Sequence, residues 1–592
     1  MQEIKVPVLV IGGGGAGLTT HYFLSNMGVE NLLIERHSES SPLPKARGIN
    51  RRVLEIFRQN GLETGFRKGA MPGWYASRIR WMTNLGGSAD IDGRTVYEMD
   101  AFGGGELAET YQQGSPFGSM MVYPQVRLEP FLVDECSKIA PERALFNHEL
   151  ISFEQSEDAV TAVVQNRETG EEFLVTADYM IAADGGRFVG PQVGAQFEGT
   201  TLLTKMITAY FKADLSDYLD DDRLSTIYFV NPKGTTANWS SGALGKLGGD
   251  YCDRRCQEWL LHSGVNESDP ETFTKEQLQS RIRRLLNLPE LDVEVLGSAP
   301  WNAQGLLAGK YRFGRIFLVG DSAHRHPPAT GLGLVSGIQD VHNLSWKLAM
   351  VLNGAASDSL LDSYEEERRP VAKRNINWSL FAFSNSQLTG PAVGIIPGNE
   401  AESVRNLLAL DEPTEVGQAR RRRLDDVMKM NRTEFQANNL DIGYAYESGA
   451  LVGDSTKACD PDPTGLEYVP TTRPGHRLPH AYIQRDGEII STLDLVTPGY
   501  FSLLTHPECA KEWENAIAAL PAAVKGKVQL CVIGDFGGII DHNHNWRMVR
   551  EIEETGAVLV RPDQHVAWRV ASIPQDPSAQ LADALGVILN KG

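Results

Sequence analysis

The run VPVLVIGGGGAGLTTHYFLSNMGVENLLIER, from Val6 to Arg36, sets the frame for the rest of the chain. Val6–Ile11 is a short apolar run that stops at Gly12, Leu18–Met27 has helical spacing, and Asn31–Glu35 forms a second strand-like run. Strand, glycine-rich turn, helix and strand within about 30 residues predict a dinucleotide-binding βαβ unit. Gly12, Gly14 and Gly17 fit G-x-G-x-x-G. That spacing gives the tight turn, the approach of backbone to a pyrophosphate and the close packing of helix on strand. The helix start offers unpaired N–H groups and a positive dipole end to the phosphates. Glu35 ends the second strand, where a carboxylate accepts hydrogen bonds from a ribose, and Arg36 beside it joins the candidate cofactor set.

Working outward, 592 residues at about 150 per domain suggest three or four domains, which the motifs below narrow to three. The 58 glycines, about a tenth of the chain and without a repeat, point to tight turns and to backbone held close to a ligand. With 56 basic and 76 acidic residues the net charge is −20. That argues against nucleic acid or an anionic membrane as partner. No apolar run of about 18 residues predicts a membrane span, and the N-terminus lacks the layout of a signal peptide. Six scattered cysteines suit a reducing compartment and a cytoplasmic location better than a disulfide framework. Cys252 and Cys256 are spaced to share a helix face but have no second pair to complete a zinc site. His324 with His326, and His542 with His544, lack a third ligand, so no metal is assigned.

Further along, Arg51–Gln59 and Val126–Ala140 read as helices, Ala159–Val164 and Glu172–Ala182 as strands. Thr200 to Trp239, alternating at Thr226–Val230, reads as part of an antiparallel sheet. Arg315–Val319 is a buried strand leading to helices near Leu334–Leu352 and Leu360–Asn375. Gly390 to Thr456, rich in Gly, Pro and charge and including Arg420–Arg423, reads as a linker. A strand at Val528–Ile533, a hairpin from Ala557–Val560 to His565–Val570 and a helix near Ser578–Leu589 suggest a small α/β unit at the end.

GRIFLVGDSAHRHPPATGLGLVSGIQDVHNLSWKLAMVLNG, Gly314 to Gly354, resembles the signature of flavin-dependent aromatic hydroxylases. That family includes para-hydroxybenzoate hydroxylase, the phenol and dichlorophenol hydroxylases and the hydroxylases of aromatic polyketides. The resemblance implies FAD as the cofactor, with Asp321 on its ribityl chain. It also implies that the loop His326–Gly333 runs beside the flavin ring, bringing Pro328, Gly331, Leu332 and Gly333 to the cofactor. DYMIAADGGRFVG, Asp178 to Gly190, resembles the motif that contacts both FAD and NAD(P)H, here through Asp184. Phe188 stands where Ser or Thr is usual, and Val335 where many relatives carry Asn. PKARGINRRVLEIF and YPQVRLEPFL are similar to the segments that bring an Arg and a Gln to FAD, here Arg47 and Gln125. Taken alone, Arg47 also reads as a surface charge and Gln125 as a helix cap.

The fold so implied is α/β: a Rossmann-like FAD-binding domain with an inserted β-sheet substrate domain, plus a C-terminal thioredoxin-like domain. Its expected parts are 1–185 with 296–390 for FAD, with part of 74–118 lining the substrate site; 186–295 for the substrate sheet; 391–456 as linker or helical region; and 457–592 as the thioredoxin-like unit. The last contains TRPGHRLPH at Thr472–His480 and RPDQHVAWR at Arg561–Arg569 but no C-x-x-C, so dithiol chemistry is closed to it.

The implied activity is a monooxygenase reaction. NADPH or NADH reduces FAD, O2 adds at flavin C4a, and the hydroperoxide passes one oxygen atom to a phenolic or polycyclic aromatic substrate. Pro327, Pro328, Tyr228 and Gln304 are the candidate pocket residues, Pro327 and Pro328 beside the flavin and Gln304, with Trp301, beside the flavin-binding strand. Tyr228 and Phe229 either line the pocket or pack into the core. Baeyer–Villiger or epoxidising oxygen insertion in secondary metabolism, and a non-catalytic flavoprotein, are the alternatives. Members of the family often dimerise, which leaves a homodimer as an option.

Overall fold

The computed structural model describes residues 2–232, 241–266, 269–460 and 462–590. The opening motif folds as its spacing predicts, with strand Gln2–Ile11, helix Gly15–Asn26 and strand Asn31–Ile34. The first strand is the centre of a parallel sheet, pairing with Asn31–Ile34 on one side and Glu172–Ala182 on the other, so that Val10 lies opposite Leu33 and Ile181. Ile316–Leu318 adds in parallel beyond. These strands read as continuous apolar runs because both faces are covered. Helix Gly15–Asn26 packs against helices Gln125–Ile139 and Leu332–Leu352.

A second sheet of eight strands stands against the first. Its long strands, Phe197–Lys212 and Glu294–Ala308, pair antiparallel over most of their length. Glu258–Gly264, Ser241–Lys246 and Leu224–Val230 follow, then Arg78–Met82 and Thr95–Asp100. The region near Trp74–Gly118, which lacks periodicity, therefore supplies the far edge of this sheet. The end of the expected Thr200–Trp239 segment, residues 233–239, lies outside the described residues. Cys252 and Cys256 do not share a helix; they lie in the loop before Glu258–Gly264.

The third sheet is thioredoxin-like. Phe501–Thr505 and Val528–Gly534 are parallel around helix Ala510–Ala519, and the hairpin Ala557–Val560/Val566–Val570 pairs antiparallel with the first of them. Helix Pro577–Ile588 closes the unit.

The stretch after Gly390 is more than a tether. Its helices Glu400–Leu408, Glu415–Met430 and Arg432–Phe435 bury Leu407, Leu424, Met428 and Phe435 against Ile79 and Trp81 of the second sheet. Among the described residues no helix is long and apolar enough to cross a membrane.

Charge is buried where the third sheet meets the first domain. Arg561 forks onto Glu367 at 2.7 and 2.8 Å, and Lys347 reaches the same carboxylate at 2.7 Å. Arg477 forks onto Glu55 at 2.7 and 2.8 Å, with Arg52 at 3.1 Å. Burial alone pushes both carboxyls up, but the cations outweigh it and hold Glu55 and Glu367 at about 2.

Candidate active site

One cavity of about 2370 Å³ runs from the glycine-rich turn to the second sheet. At the turn, Gly12 has φ +108°, and an added Cβ would lie 2.4 Å from the Ala183 carbonyl oxygen. Helix Gly15–Asn26 starts without a side chain from its N-cap residue, and Gly14, Gly15 and Ala16 bring that start to the cavity wall with the Glu129 carboxylate beside them. Glu35 accepts from the Gly13 N–H at 2.6 Å and from the His37 N–H at 2.8 Å. Arg36 lines the cavity next to it. Gly17 does not line the cavity; it lies beneath the turn, where a Cβ would be 1.8 Å from the Gly12 oxygen.

Asp321 sits in the short turn Gly320–Ser322 on the cavity wall, and its carboxylate has no partner among the described residues. Asp184 also lines the cavity, but its carboxylate is committed. It accepts from Gly186 N–H at 2.9 Å, Ser322 hydroxyl at 2.8 Å, Phe188 N–H at 2.7 Å and Val189 N–H at 2.9 Å. It ties the two signature loops together. Phe188 enters through its backbone N–H, while its ring packs edge-on against Phe153. The bulky residue therefore leaves the hydrogen bonds of the turn in place. Val335 is buried in the core of helix Leu332–Leu352.

The loop His326–Gly333 forms the next wall. Thr330 has φ +68°, uncommon for a β-branched residue, and is held by its N–H to Glu434 at 3.4 Å and its hydroxyl to Ser379 at 2.9 Å. Pro327, Pro328, Gly331, Leu332 and Gly333 all line the cavity, and a Cβ at either glycine would meet nothing within 4 Å. The two ring nitrogens of His326 are buried without partners, and burial, then His324, keeps the imidazole neutral.

Arg47 is no surface charge. It reaches from the first domain to the second sheet, donating to Ser225 at 3.2 Å, to the Lys246 carbonyl at 3.1 Å and to Thr226. None of these is an anion, and burial lowers its pKa to about 10. Gln125 opens helix Gln125–Ile139, accepting from Ala46 N–H at 3.4 Å and donating to Glu129. An open glycine turn, an unpaired carboxylate, a guanidinium without counter-charge and orphaned imidazole nitrogens together fit a long phosphate-bearing cofactor with a polar ring.

The far end is aromatic. Strand alternation separates Tyr228 from Phe229: Phe229 packs in the core with Leu244 and Leu261, and Tyr228 turns to the opposite face. There it stacks on Trp81 at 5.5 Å and 17°, with Phe435 5.8 Å away. Trp301 donates to Thr208 at 2.9 Å, and Thr208 meets His262 at 2.7 Å. Gln304 is on the wall with its amide committed to the Thr201 carbonyl at 2.8 Å.

Sequence reasoning missed Asn431, Glu434 and Phe435, which line this end from the segment read as a linker. Glu434 shares the cavity wall with Tyr228, whose hydroxyl acts on its carboxyl, and burial pushes that carboxyl up to about 7.

Comparison with known proteins agrees with this geometry. Residues 5–379 match the FAD binding domain family and residues 471–591 the aromatic-ring hydroxylase C-terminal family. A 2,4-dichlorophenol 6-monooxygenase of Cupriavidus pinatubonensis is 33% identical over 99% of this chain and 97% of its own length. The tetracenomycin A2 monooxygenase-dioxygenase of Streptomyces glaucescens is 33% identical over 100% and 98%. The flavin-dependent monooxygenase PieE, solved in complex with FAD and substrate, superposes with a TM-score of 0.93 at 34% identity, covering 100% of both chains.

Proposed function

The chain belongs to the FAD-dependent aromatic-ring hydroxylases, and from that premise we propose that its own substrate is a polycyclic phenol. The observation that carries this is the size and polarity of the cavity. Its volume of about 2370 Å³ exceeds the roughly 300–1,000 Å³ of a pocket for one small ligand. A glycine turn at one end and the Trp81, Tyr228 and Phe435 wall at the other suit a cofactor and a flat, multi-ring substrate held together. Baeyer–Villiger insertion is not favoured, because the relatives are named as a dichlorophenol monooxygenase, a phenol monooxygenase and a putative polyketide hydroxylase.

FAD, when bound, supplies reduction by NAD(P)H and the activation of O2 from which one oxygen atom is transferred. The chain's part is to bind, orient and exclude water. Gly12, Gly14 and the helix start would take the pyrophosphate, with Arg47 as its counter-charge. Glu35 would exchange the Gly13 N–H for ribose hydroxyls, and Arg36 and Gln125 would flank the cofactor. Leu332 and Gly333 would aim N–H groups at a ring carbonyl that gains charge on reduction, with Gly331, whose N–H is held by the Pro328 carbonyl at 3.2 Å, setting the turn before them. Pro327 and Pro328 would keep water from the ring, and Asp184 would position the loops rather than touch the cofactor. Tyr228 would contact the substrate, with Gln304 a wall residue.

The division into 1–185 with 296–390, 186–295 and 457–592 is our reading of the working units, with 391–456 lending residues to the substrate site. Six unpaired thiols suit a reducing cytoplasm.

Asp321→Ala is expected to weaken FAD binding about 10- to 100-fold. That is the loss of charge-assisted hydrogen bonds worth about 1.5–3 kcal/mol. The apoprotein's melting temperature should not change, because the carboxylate has no partner among the described residues. Titration of apoprotein with FAD, followed by flavin fluorescence, measures it; wild-type affinity would remove Asp321 from the ribityl chain. Among phenols, two- to four-ring compounds should stimulate NAD(P)H oxidation more than phenol itself; the reverse order in kcat/KM would contradict the proposed substrate class.

A further inference from the structure

Hydroxylating a phenol is easier once its hydroxyl has lost a proton, because the phenolate ring is the stronger nucleophile. An acceptor placed in the cavity wall takes that proton directly from the bound substrate. Among the other acids on the wall, Glu35 is committed to Gly13, Asp184 to the signature loops, Glu129 to Gln125 and Ser41, and Asp441 to Arg51 at 2.8 Å. Asp321, unpartnered among the described residues, is the residue assigned to the flavin's ribityl chain. His262, on the aromatic wall, is held down at about 4 by burial and then by Arg47, which makes it a feeble acceptor.

We propose that Glu434 is the proton acceptor that ionises the substrate's phenolic hydroxyl, with Tyr228 as the relay between them. The proposal rests on the reading of this cavity as a phenol-hydroxylating site. Glu434 lies on the short helix Arg432–Phe435, between the strained loop at Thr330 and the strand of Tyr228. Both side chains are deep in the protein yet keep surface open to the cavity. Burial, then Glu434, raises Tyr228 well above a normal phenol, so it stays protonated and donates.

The groups packed around Glu434 are few. Tyr228 faces it from the strand, Thr330 from the loop and Ser379 from helix Ser363–Ser386 behind Thr330. Arg47 acts on Tyr228 from farther off, and among the described residues no ion pair reaches Glu434. The carboxyl is pushed up to about 7 by burial against the Thr330 and Tyr228 hydrogen bonds. It can therefore take and return a proton near neutral pH.

The step moves one proton and no electrons. The substrate O–H breaks as Tyr228 takes its proton, and the Tyr228 proton passes to the Glu434 carboxylate. When the hydroxylated ring recovers aromaticity, its C–H proton leaves to solvent and Glu434 returns its proton to the ring oxygen.

The test uses the FAD-loaded enzyme and 2-hydroxyanthraquinone, a polycyclic phenol whose anion absorbs at longer wavelength than the neutral dye. Bound to wild type, the dye should ionise at lower pH than in water, and its hydroxylation rate should rise with pH through about 7. Glu434→Gln keeps an acceptor for Thr330 and Tyr228 at nearly the same size. It should retain wild-type FAD content and flavin reduction by NAD(P)H, abolish the dye's early ionisation and slow product formation about a hundredfold. Glu434→Asp should recover part of the pH dependence. Binding of the dye to wild type without early ionisation, or a Gln variant that keeps it, overturns the assignment while leaving the hydroxylase reading intact. If the FAD-loaded wild type neither binds nor hydroxylates the dye, the substrate reading fails and this proposal fails with it.

Discussion

Gly17→Ala is expected to give a chain that retains no FAD. The added Cβ would lie 1.8 Å from the Gly12 carbonyl oxygen, far inside van der Waals contact, and backbone crowds it where no side-chain rotation brings relief. Helix Gly15–Asn26 would have to retreat from the sheet, carrying its first N–H groups away from the phosphate seat. Flavin per protein after purification is the readout. Gly526→Ala, where a Cβ meets nothing within 4 Å and φ is −68°, serves as the control and should keep its flavin. A Gly17→Ala protein with full flavin would mean that the turn is not where the pyrophosphate sits.

The second large effect is on stability. Glu367→Ala would leave Arg561 and Lys347 buried with the shared carboxylate gone. Breaking a buried ion pair by removing one partner costs about 3–5 kcal/mol, because Lys347 is left buried without its carboxylate and Arg561 is left with Asp563 alone as counter-ion. Denaturant unfolding should show that loss in the transition of the interface between the third sheet and the first domain. Glu514→Ala, which removes the exposed Lys511 partner at 2.7 Å, should leave the same transition unmoved. The pH dependence follows from the sign of the shift. Glu367 folds with its pKa held at about 2, below an unfolded value of about 4.3. Its contribution is therefore full above the unfolded value and drains away as pH falls toward about 2. An Ala variant as stable as wild type, with unchanged acid unfolding, would show that the interface does not depend on this carboxylate.

What the sequence disclosed follows from how local each signal is. The glycine turn, Glu35, Asp321 and the His326–Gly333 loop sit within short runs whose chemistry needs neighbours close in the chain, and all line the cavity. Glu434 gave no such signal. It comes more than 100 residues after the loop it supports, from a four-residue helix with no room for a periodic pattern. The helices around it bury one face on the second sheet, which a charge-rich composition conceals. Phe188 misleads in the opposite sense: the side chain departs from the family pattern, while the backbone N–H makes the bond. Arg561 reads as one residue of a hairpin, and its counter-ion Glu367 lies 194 positions away. Long-range charge pairing of this kind leaves no trace in spacing.

The most direct test of the whole account is hydroxylation of a polycyclic phenol by the FAD-loaded protein under isotopically labelled dioxygen. The account predicts that the phenol accelerates NAD(P)H oxidation and that the product gains one labelled oxygen atom on its ring. A flavin-loaded protein that binds the phenol but shows no stimulated NAD(P)H oxidation, or a product whose new oxygen comes from water, would contradict it.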